Sequence, residues 1–185
     1  MEPCPDERRV GAGGSGAGSG RRRRRDEPLL TEQRTAGRAV VLDPDNRVLL
    51  VHWVNEAHGV DVWLTPGGGV EEGESAADAL ARELREEAGL VSFGPGPLVW
   101  TRRHSFRWGT RTIHQRETFV LVRVPAFEPQ PEPLALEEEG VREVRRWTIA
   151  EIERSEEAFE PRRLAALLRE LLDGGPQAQP VDAGH

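Results

Sequence analysis

The segment from Gly67 to Leu90 concentrates carboxylates at spacings that could do chemistry. It contains seven acidic residues, five glycines and two arginines. At about 100° per residue, Glu83, Glu86 and Glu87 fall on one helix face, because they stand three and four positions apart. Like charges at these spacings repel, so a positive partner is expected among them. Magnesium prefers carboxylate and water oxygens, and the segment therefore predicts a Mg²⁺ site, with Mn²⁺ as a substitute.

A solvated charged face is the alternative interpretation of this helix, since 31% of the residues in the chain are charged. The spacing of the surrounding residues decides against it. The pattern is Gly68, Glu74, Arg82-Glu83-Leu84, Glu86-Glu87 and Gly89-Leu90. This segment resembles the Nudix box, G-x5-E-x7-R-E-U-x-E-E-x-G-U with U aliphatic, and every defined position matches. Chance very rarely satisfies so many fixed positions.

The resemblance implies both a fold and a reaction. The implied fold is α/β (α+β), a Nudix-like α/β/α sandwich in which helices flank a mixed β-sheet. The implied reaction is hydrolysis of the pyrophosphate bond in a nucleoside diphosphate linked to another group. Nucleoside triphosphates, ADP-ribose, nucleotide sugars and dinucleoside polyphosphates are all candidate substrates, and the box does not choose among them.

The resemblance also implies roles for the matched residues. A backbone oxygen at Gly68 and three glutamates become the metal ligands: Glu83, Glu86 and Glu87. Arg82 orients the glutamates through a salt bridge, and Glu74 fixes the loop. Gly68 and Gly89 give the backbone its shape. Arg82 is a catalytic candidate, together with Glu86 and Glu87.

The general base has two candidate sources in the family that the sequence resembles. One is a box glutamate, and the other is a carboxylate on a later loop. Glu137, Glu138 and Glu139 precede a predicted strand, and Glu139 is our candidate among them. A solvated acidic loop is the alternative interpretation of this run.

Arginines on the predicted strands after the box are candidates for binding substrate phosphates, because guanidinium groups pair with phosphate oxygens. They are Arg102, Arg103, Arg107, Arg111 and Arg116. We select Arg111 and Arg116, although some of these arginines are simply surface residues in a chain without lysine. Trp108, beside the Gly109 turn, is the candidate for stacking on a nucleobase. For any one tryptophan, packing in the core is the more common role.

Hydrophobic patterns and turn residues predict the strands that position these groups. Residues 37–43 and 47–53 flank an Asp-Pro-Asp-Asn turn and predict a hairpin. A short run at 62–65 is followed by Pro66 and three glycines, where regular structure should break. Longer strands are predicted at 97–106 and 112–124, and another at 144–147.

Capping signals predict the helices. Ser75 with Asp78 and Thr148 with Glu151 each form a capping-box pattern at a helix start. The first helix should end at Gly89, and the second is short. The last helix should run from Pro161 to about Asp173, with leucines along one face.

Composition predicts one domain between two tails. Residues 1–34 join a Gly/Ser run to five consecutive arginines and should form a disordered tail. Residues 35–173 form the predicted domain, which is acidic, and residues 174–185 form a second disordered tail. A solvated extension explains the arginine run better than a nucleic-acid contact does.

The sequence also limits location and partners. The only cysteine, Cys4, cannot form an intrachain disulfide. No apolar run approaches the roughly 20 residues that span a bilayer. We therefore expect a cytoplasmic protein without a membrane partner, acting on a small-molecule nucleoside diphosphate derivative. A homodimer is compatible with the sequence, which does not fix the oligomeric state.

A non-catalytic, nucleotide-sensing Nudix regulator is the alternative function. Such a sensor can lose its ligand glutamates, whereas this chain keeps all three and Arg82. The complete pattern favours an enzyme, a Nudix-type pyrophosphohydrolase acting on phosphoric anhydride bonds.

Overall fold

The structure, a computed structural model, describes residues 30–133 and 140–184. The strands in this part of the chain are β1 Leu30–Leu42, β2 Val48–Asn55, β3 Val60–Leu64, β4 Gly67–Gly69, β5 Pro95–Trp108, β6 Arg111–Arg123, β7 Val141–Trp147, β8 Phe159–Glu160 and β9 Val181–Asp182. The helices are α1 Ala76–Ala88, α2 Ile149–Arg154 and α3 Leu164–Gly174, with a 3₁₀ turn at Glu56–His58.

All nine strands belong to one mixed sheet. Its main path is β8-β3-β2-β1-β6-β5-β9, with β4 paired to β1 and β7 paired to β2. The long central pair, β1 and β6, is parallel from Leu30 opposite Arg111 to Leu42 opposite Arg123. The neighbouring pairs β1–β2 and β5–β6 are antiparallel. The predicted mixed sheet is confirmed.

Alternate residues of β1 pack against helices on opposite faces of the sheet. Val40 and Leu42 belong to a core that includes four leucines of α3. Ala39 and Val41 belong to a second core with Leu80 and Leu84 of α1. Side chains on a strand point to opposite faces in turn, so one strand supports both layers. The predicted α/β/α arrangement is confirmed.

The predicted turn and both helix starts are present. Asp43 Oδ1 accepts from the backbone nitrogens of Asp45 at 3.0 Å and Arg47 at 2.9 Å, which closes the β1–β2 hairpin. The Thr148 capping box is complete. Ser75 Oγ accepts from the backbone nitrogen of Asp78 at 3.2 Å and donates to its carboxylate at 2.6 Å. None of the helices in the described residues is long and apolar enough to cross a membrane.

The three glycines after Pro66 were predicted to break regular structure, but they form β4. Ala36, Gly37 and Arg38 of β1 pair antiparallel with Gly69, Gly68 and Gly67. Gly67 has a φ of 128°, and a Cβ there would lie 2.2 Å from the carbonyl oxygen of Gly37. Glycine therefore permits this approach, because any side chain would collide with the backbone of β1.

The described segments at both ends extend beyond the predicted domain limits. Residues 30–34, predicted as tail, belong to β1 and pair with β6. Val181–Asp182 lies in the segment predicted to be a disordered tail, yet it pairs with β5, and Ala183 is only 1% exposed. The backbone nitrogen of Ala183 donates to Thr101 O at 2.8 Å. Edge pairing of this kind depends on backbone hydrogen bonds, so composition gave no sign of it.

Candidate active site

Helix α1 presents its carboxylates beside the β4 loop. Leu80 and Leu84 pack into the core, which fixes the rotation of the helix about its axis. The three glutamates of its charged face consequently lie near the sheet. Glu83 and Glu87 are 8% and 6% exposed, and the side chain of Glu86 is 20% exposed.

Arg82 is the centre of the ion-pair network on this face. Its Nη1 lies 2.9 Å from Glu83 Oε1 and 3.3 Å from Glu86 Oε2. Its Nε lies 3.1 Å from Glu74 Oε1, and Nη2 donates to the carbonyl oxygen of Gly69 at 3.1 Å. One guanidinium therefore connects the helix to the loop and holds three carboxylates.

The glycine loop lies directly against two of the helix glutamates. The backbone nitrogen of Gly67 donates to Glu87 Oε2 at 2.7 Å. A Cβ on Gly68 would lie 2.1 Å from Glu83 Oε1. The position of the Glu83 carboxylate therefore requires that residue 68 carry no side chain.

Burial and pairing shift the pKa values of these groups in opposite directions. Burial raises the pKa of Glu83, although Arg82 opposes the shift. The hydrogen bond from Arg82, with a second from the backbone nitrogen of Glu71, lowers the pKa of Glu74. Hydrogen bonds, above all to Glu74, raise the pKa of Arg82. An additional positive charge near Glu83 would therefore favour its ionised form.

The charged face of α1 has the ligand types that suit a hard divalent cation. In residues 30–133 and 140–184, no three acidic, histidine or cysteine side chains already converge as a metal cluster. Two carboxylates of this face, Glu83 and Glu86, both contact Arg82 Nη1. That contact also demonstrates that one cationic group can touch both carboxylates. Glu83, Glu86 and Glu87 could therefore hold Mg²⁺ with the Gly68 backbone beside them.

A cavity of about 1170 Å³ opens beside the loop and helix. One wall is the sheet face formed by β1, β5 and β6, and the opposite side includes β3 and Trp53. Gly67–Gly69, Arg82, Glu83 and Glu87 line the end next to α1. The carboxylate face thus adjoins a space large enough for a nucleotide-sized ligand.

A buried polar group, the floor cluster, lies within this cavity and consists of Arg38, Arg102, His104, Gln115 and Glu117. Glu117 Oε1 lies 3.2 Å from Arg38 Nε and accepts from Gln115 Nε2 at 2.9 Å. Glu117 Oε2 lies 3.4 Å from both Arg102 Nη1 and His104 Nε2. Burial raises the pKa of Glu117, but His104, Arg38 and Arg102 outweigh it and bring the pKa to about 2.

The floor cluster is connected to the glycine loop. Arg38 Nη1 donates to the carbonyl oxygens of Thr65, at 3.3 Å, and of Gly67. Because Gly67 also donates to Glu87, a continuous chain of contacts runs from α1 to Glu117. The two charged regions share one cavity and one supporting loop.

Comparison with known proteins identifies the family. A family model described as "NUDIX domain" matches residues 32–170. The chain belongs to the Nudix family. The Nudix box therefore has the context that the resemblance implied, a loop followed by a helix on a mixed sheet.

The chain is similar to curated relatives in sequence and to solved structures in fold. An RNA pyrophosphohydrolase of Halorhodospira halophila is 40% identical over 101 residues, which cover 48% of this chain and 52% of the relative. The chain spans about half the length of the curated relatives it matches. A MutT protein from Methanosarcina mazei has a TM-score of 0.57 at 16% identity, over 80% of this chain and 99% of that structure. The Nudix domain of Shewanella oneidensis NrtR, complexed with ADP ribose, has a TM-score of 0.56 at 22% identity, over 79% and 90%.

The structure brings two of the three selected substrate residues to the cavity. Trp108 and Arg111 line it at the tip of the β5–β6 hairpin. The ring of Trp108 is stacked on His58 with centroids 3.9 Å apart, and Arg111 is ion-paired with Glu32 at 3.0 Å. Arg116 does not line the cavity. It alternates along β6 with Gln115 and Glu117, so it belongs to the opposite face of the sheet.

The remaining candidates have three different outcomes. Glu137, Glu138 and Glu139 lie outside the described residues. Trp63, Trp100 and Trp147 are buried in the core, as expected for most tryptophans. Gly89 has a φ of 69° and caps α1, and its backbone nitrogen donates to Arg85 O. This left-handed position explains the glycine at that point of the box.

Most residues of the floor cluster, and Arg34, were not among the site residues predicted from the sequence. The Arg34 guanidinium lies where a Cβ on Gly69 would be, and Arg34 lines the cavity. One signal was available: β6 alternates Ile113, Gln115, Glu117 and Phe119 on one face. Two polar residues between apolar ones on a buried face usually need partners. The partners themselves depend on the register of β1 and β5.

Proposed function

We propose that this Nudix protein is a Mg²⁺-dependent pyrophosphohydrolase that cleaves a phosphoric anhydride bond in a nucleoside diphosphate derivative. The observation that carries the proposal is the shared contact of Arg82 with Glu83 and Glu86, beside the glycine loop and at the wall of the cavity. The similarity to RNA pyrophosphohydrolases supports the same bond type, although it covers about half of their length.

The residues of the box have distinct roles in this proposal. Glu83, Glu86 and Glu87 hold the cation, together with a backbone oxygen at Gly68. When bound, Mg²⁺ screens the phosphate charge and makes a water molecule more acidic. Arg82 and Glu74 position the ligands, because their ion pair fastens the loop to α1. Glu87 also accepts from Gly67, which keeps the loop close.

A carboxylate must take the proton from the attacking water. Glu86 is a candidate because it is the most exposed of the three helix glutamates. Glu139 remains the candidate outside the box. Either group would act as a general base.

The cavity supports a nucleotide-containing substrate. Trp108 offers an aromatic surface at the hairpin tip, and Arg111 brings a guanidinium there. Arg34 brings a second guanidinium to the glycine loop, where phosphate groups would lie. RNA and ADP-ribose are the substrate classes to test first, because the names of the relatives and structures contain them.

A nucleotide-sensing regulator is the second candidate function. It has the same fold and the same cavity as the enzyme, and the likeness to the Nudix domain of NrtR, at 22% identity, supports that fold alone. The two candidates differ in a measurable way. A sensor would bind the nucleotide without converting it, whereas the enzyme would release products.

A substrate panel tests the proposal. The full chain is incubated with Mg²⁺ or Mn²⁺ and with 5′-triphosphorylated RNA, ADP-ribose, nucleotide sugars and nucleoside triphosphates in ¹⁸O-labelled water. Mass spectrometry should find cleavage of one phosphoric anhydride bond and one ¹⁸O atom in a product phosphate. Binding without turnover of any panel member would favour the sensor and contradict the enzyme.

A further inference from the structure

Three buried polar atoms of cavity-lining residues have no hydrogen-bond partner in the described part of the chain. They are Arg102 Nε, Thr65 Oγ1 and His104 Nε2, and His104 Nε2 lies 3.4 Å from the carboxylate of Glu117. Arg102 and Thr65 are 7% and 1% exposed. Leaving a buried donor unpaired costs folding free energy, so such a group usually indicates a missing partner.

The remaining nitrogens of Arg102 fix its orientation. Arg102 Nη1 lies 3.4 Å from Glu117 Oε2, and Nη2 donates to Glu160. The guanidinium is therefore held from two sides while its Nε–H stays available. Thr65 reaches the same network from the end of β3, because its carbonyl oxygen accepts from Arg38 Nη1 at 3.3 Å and the preceding Leu64 pairs with Glu160 on β8.

The charges around Arg102 are already balanced. Arg38 and Arg102 carry two positive charges, and Glu117 and Glu160 carry two negative ones in the same network. A phosphate group would gain little there, since no arginine lacks a carboxylate partner. Arg34, which is exposed beside the glycine loop, is the better phosphate ligand. The spare donors suit an uncharged acceptor.

The surfaces beside these donors are apolar. Val62, Leu64 and Phe119 line the same cavity. An apolar slot with a few oriented hydrogen-bond donors is the usual design for a flat heterocyclic ligand. A site built to donate hydrogen bonds discriminates strongly against an analogue without the acceptor.

We propose that Arg102 Nε–H and the Thr65 hydroxyl bind a carbonyl oxygen on the heterocyclic base of the substrate and thereby select that base. This inference rests on the proposed function, because it assumes a nucleotide substrate. It assigns Arg102 and Thr65 to specificity, not to the hydrolytic step.

Two nucleotides that differ at the C6 carbonyl provide the test. Inosine triphosphate carries a carbonyl at C6 and a hydrogen on N1, whereas purine riboside triphosphate has hydrogen at C6 and none on N1. Their binding to the full chain is measured by calorimetry with Ca²⁺ in place of Mg²⁺, and their kcat and KM with Mg²⁺. The parent should bind the inosine nucleotide about tenfold more tightly than the purine riboside nucleotide, since leaving one buried polar group unpaired has about this effect.

The variants separate recognition from structure. Thr65→Val and Arg102→Lys should each lower the preference for the inosine nucleotide to roughly twofold to threefold, mainly by weakening the binding of that nucleotide. Thr65→Ser keeps the hydroxyl group and should retain the parent's preference for the inosine nucleotide. Arg103→Lys is the matched control, because Arg103 is exposed, adjacent in β5 and outside the cavity lining.

Three results would overturn the inference. The parent could bind the two nucleotides equally, or both variants could keep the parent's preference. In the third case, the variants would bind both nucleotides and inorganic pyrophosphate more weakly by the same factor. The last result would mean that Arg102 binds phosphate. Thermal unfolding shows whether each variant folds. If Arg102→Lys does not fold, the comparison of Thr65→Val with Thr65→Ser decides the test. If the parent hydrolyses no substrate in the earlier panel, the proposed function fails; turnover without a carbonyl preference refutes only this inference.

Discussion

The α1 face and the floor cluster share one cavity but differ in charge balance. On the α1 face, Arg82 contacts three carboxylates, and burial raises the pKa of Glu83. In the floor cluster, Glu117 contacts two arginines and a histidine, which bring its pKa to about 2. The α1 face has too little positive charge for its carboxylates, whereas the floor cluster has enough for Glu117.

This difference separates two kinds of function. Carboxylates without enough positive charge near them gain from a bound cation, so the α1 face is suited to metal-assisted chemistry. A carboxylate surrounded by cations keeps its charge and fixes its neighbours in place. The floor cluster is therefore suited to shaping the cavity and orienting donors such as Arg102.

The largest effect should come from removing one charge on the α1 face. Glu87→Gln keeps an oxygen that can accept from Gly67 but removes a carboxylate. Turnover of the best substrate in Mg²⁺ should fall by about 10³-fold, because the cation site loses a ligand. Steady-state kinetics measure the loss. Glu72→Gln, on the exposed loop, is the control and should keep the parent rate; a parent rate in Glu87→Gln would refute the ligand assignment.

Glu117→Gln should lower the free energy of unfolding by an amount that depends on pH. Because the pKa of Glu117 falls from 4.5 to about 2 on folding, its ionised form stabilises the folded chain above pH 4.5. This contribution, about 3 kcal/mol, should disappear as the pH falls towards 2. Urea unfolding of parent and variant at several pH values measures it. A difference in the free energy of unfolding that is the same at pH 7 and pH 2.5 would contradict the assigned pKa.

Gly68→Ala should affect activity far more than stability. A Cβ at this position would meet the end of the Glu83 side chain and no backbone atom among its nearest neighbours. The carboxylate can move, so we expect a normal unfolding temperature but a loss of turnover of about 10-fold to 100-fold. Thermal unfolding and kinetics on the same preparation test this. Full activity in the variant would mean that the position of Glu83 is not critical.

The smallest effect should come from the hairpin tip. Trp108→Ala removes an aromatic surface at the cavity and should raise KM several-fold, about 1 kcal/mol, with little change in kcat. Arg116→Ala is the comparison, because Arg116 lies on the other face of β6. Its KM should match the parent. The reverse pattern would show that the cavity is not the substrate site.

The same two regions explain how far the sequence could predict the molecule. The α1 face follows from local rules: helix periodicity groups Glu83, Glu86 and Glu87, and Ser75 and Gly89 mark the helix ends. All of these predictions concern residues close together in the chain. The helix is accordingly where the sequence indicated, whereas the glycines before it pair with β1 as β4, a long-range contact that the sequence did not predict.

The floor cluster depends on distant pairings that no local pattern specifies. Arg38 reaches Glu117 because β1 and β6 are parallel and in one register, and Arg102 reaches it across the antiparallel β5–β6 pair. A shift of one residue would turn Glu117 to the opposite face. The sequence predicted the strands but could not fix their register, and for that reason Arg116 was selected while Glu117 was missed.

The central claim is that Glu83, Glu86 and Glu87 form a divalent cation site. Titration of the full chain with Mn²⁺, followed by the electron paramagnetic resonance of free Mn²⁺, tests it without a substrate. The parent and Glu72→Gln should bind Mn²⁺ with equal affinity, and Glu86→Gln should bind it at least about tenfold more weakly. Equal affinity in the parent and Glu86→Gln would contradict the claim.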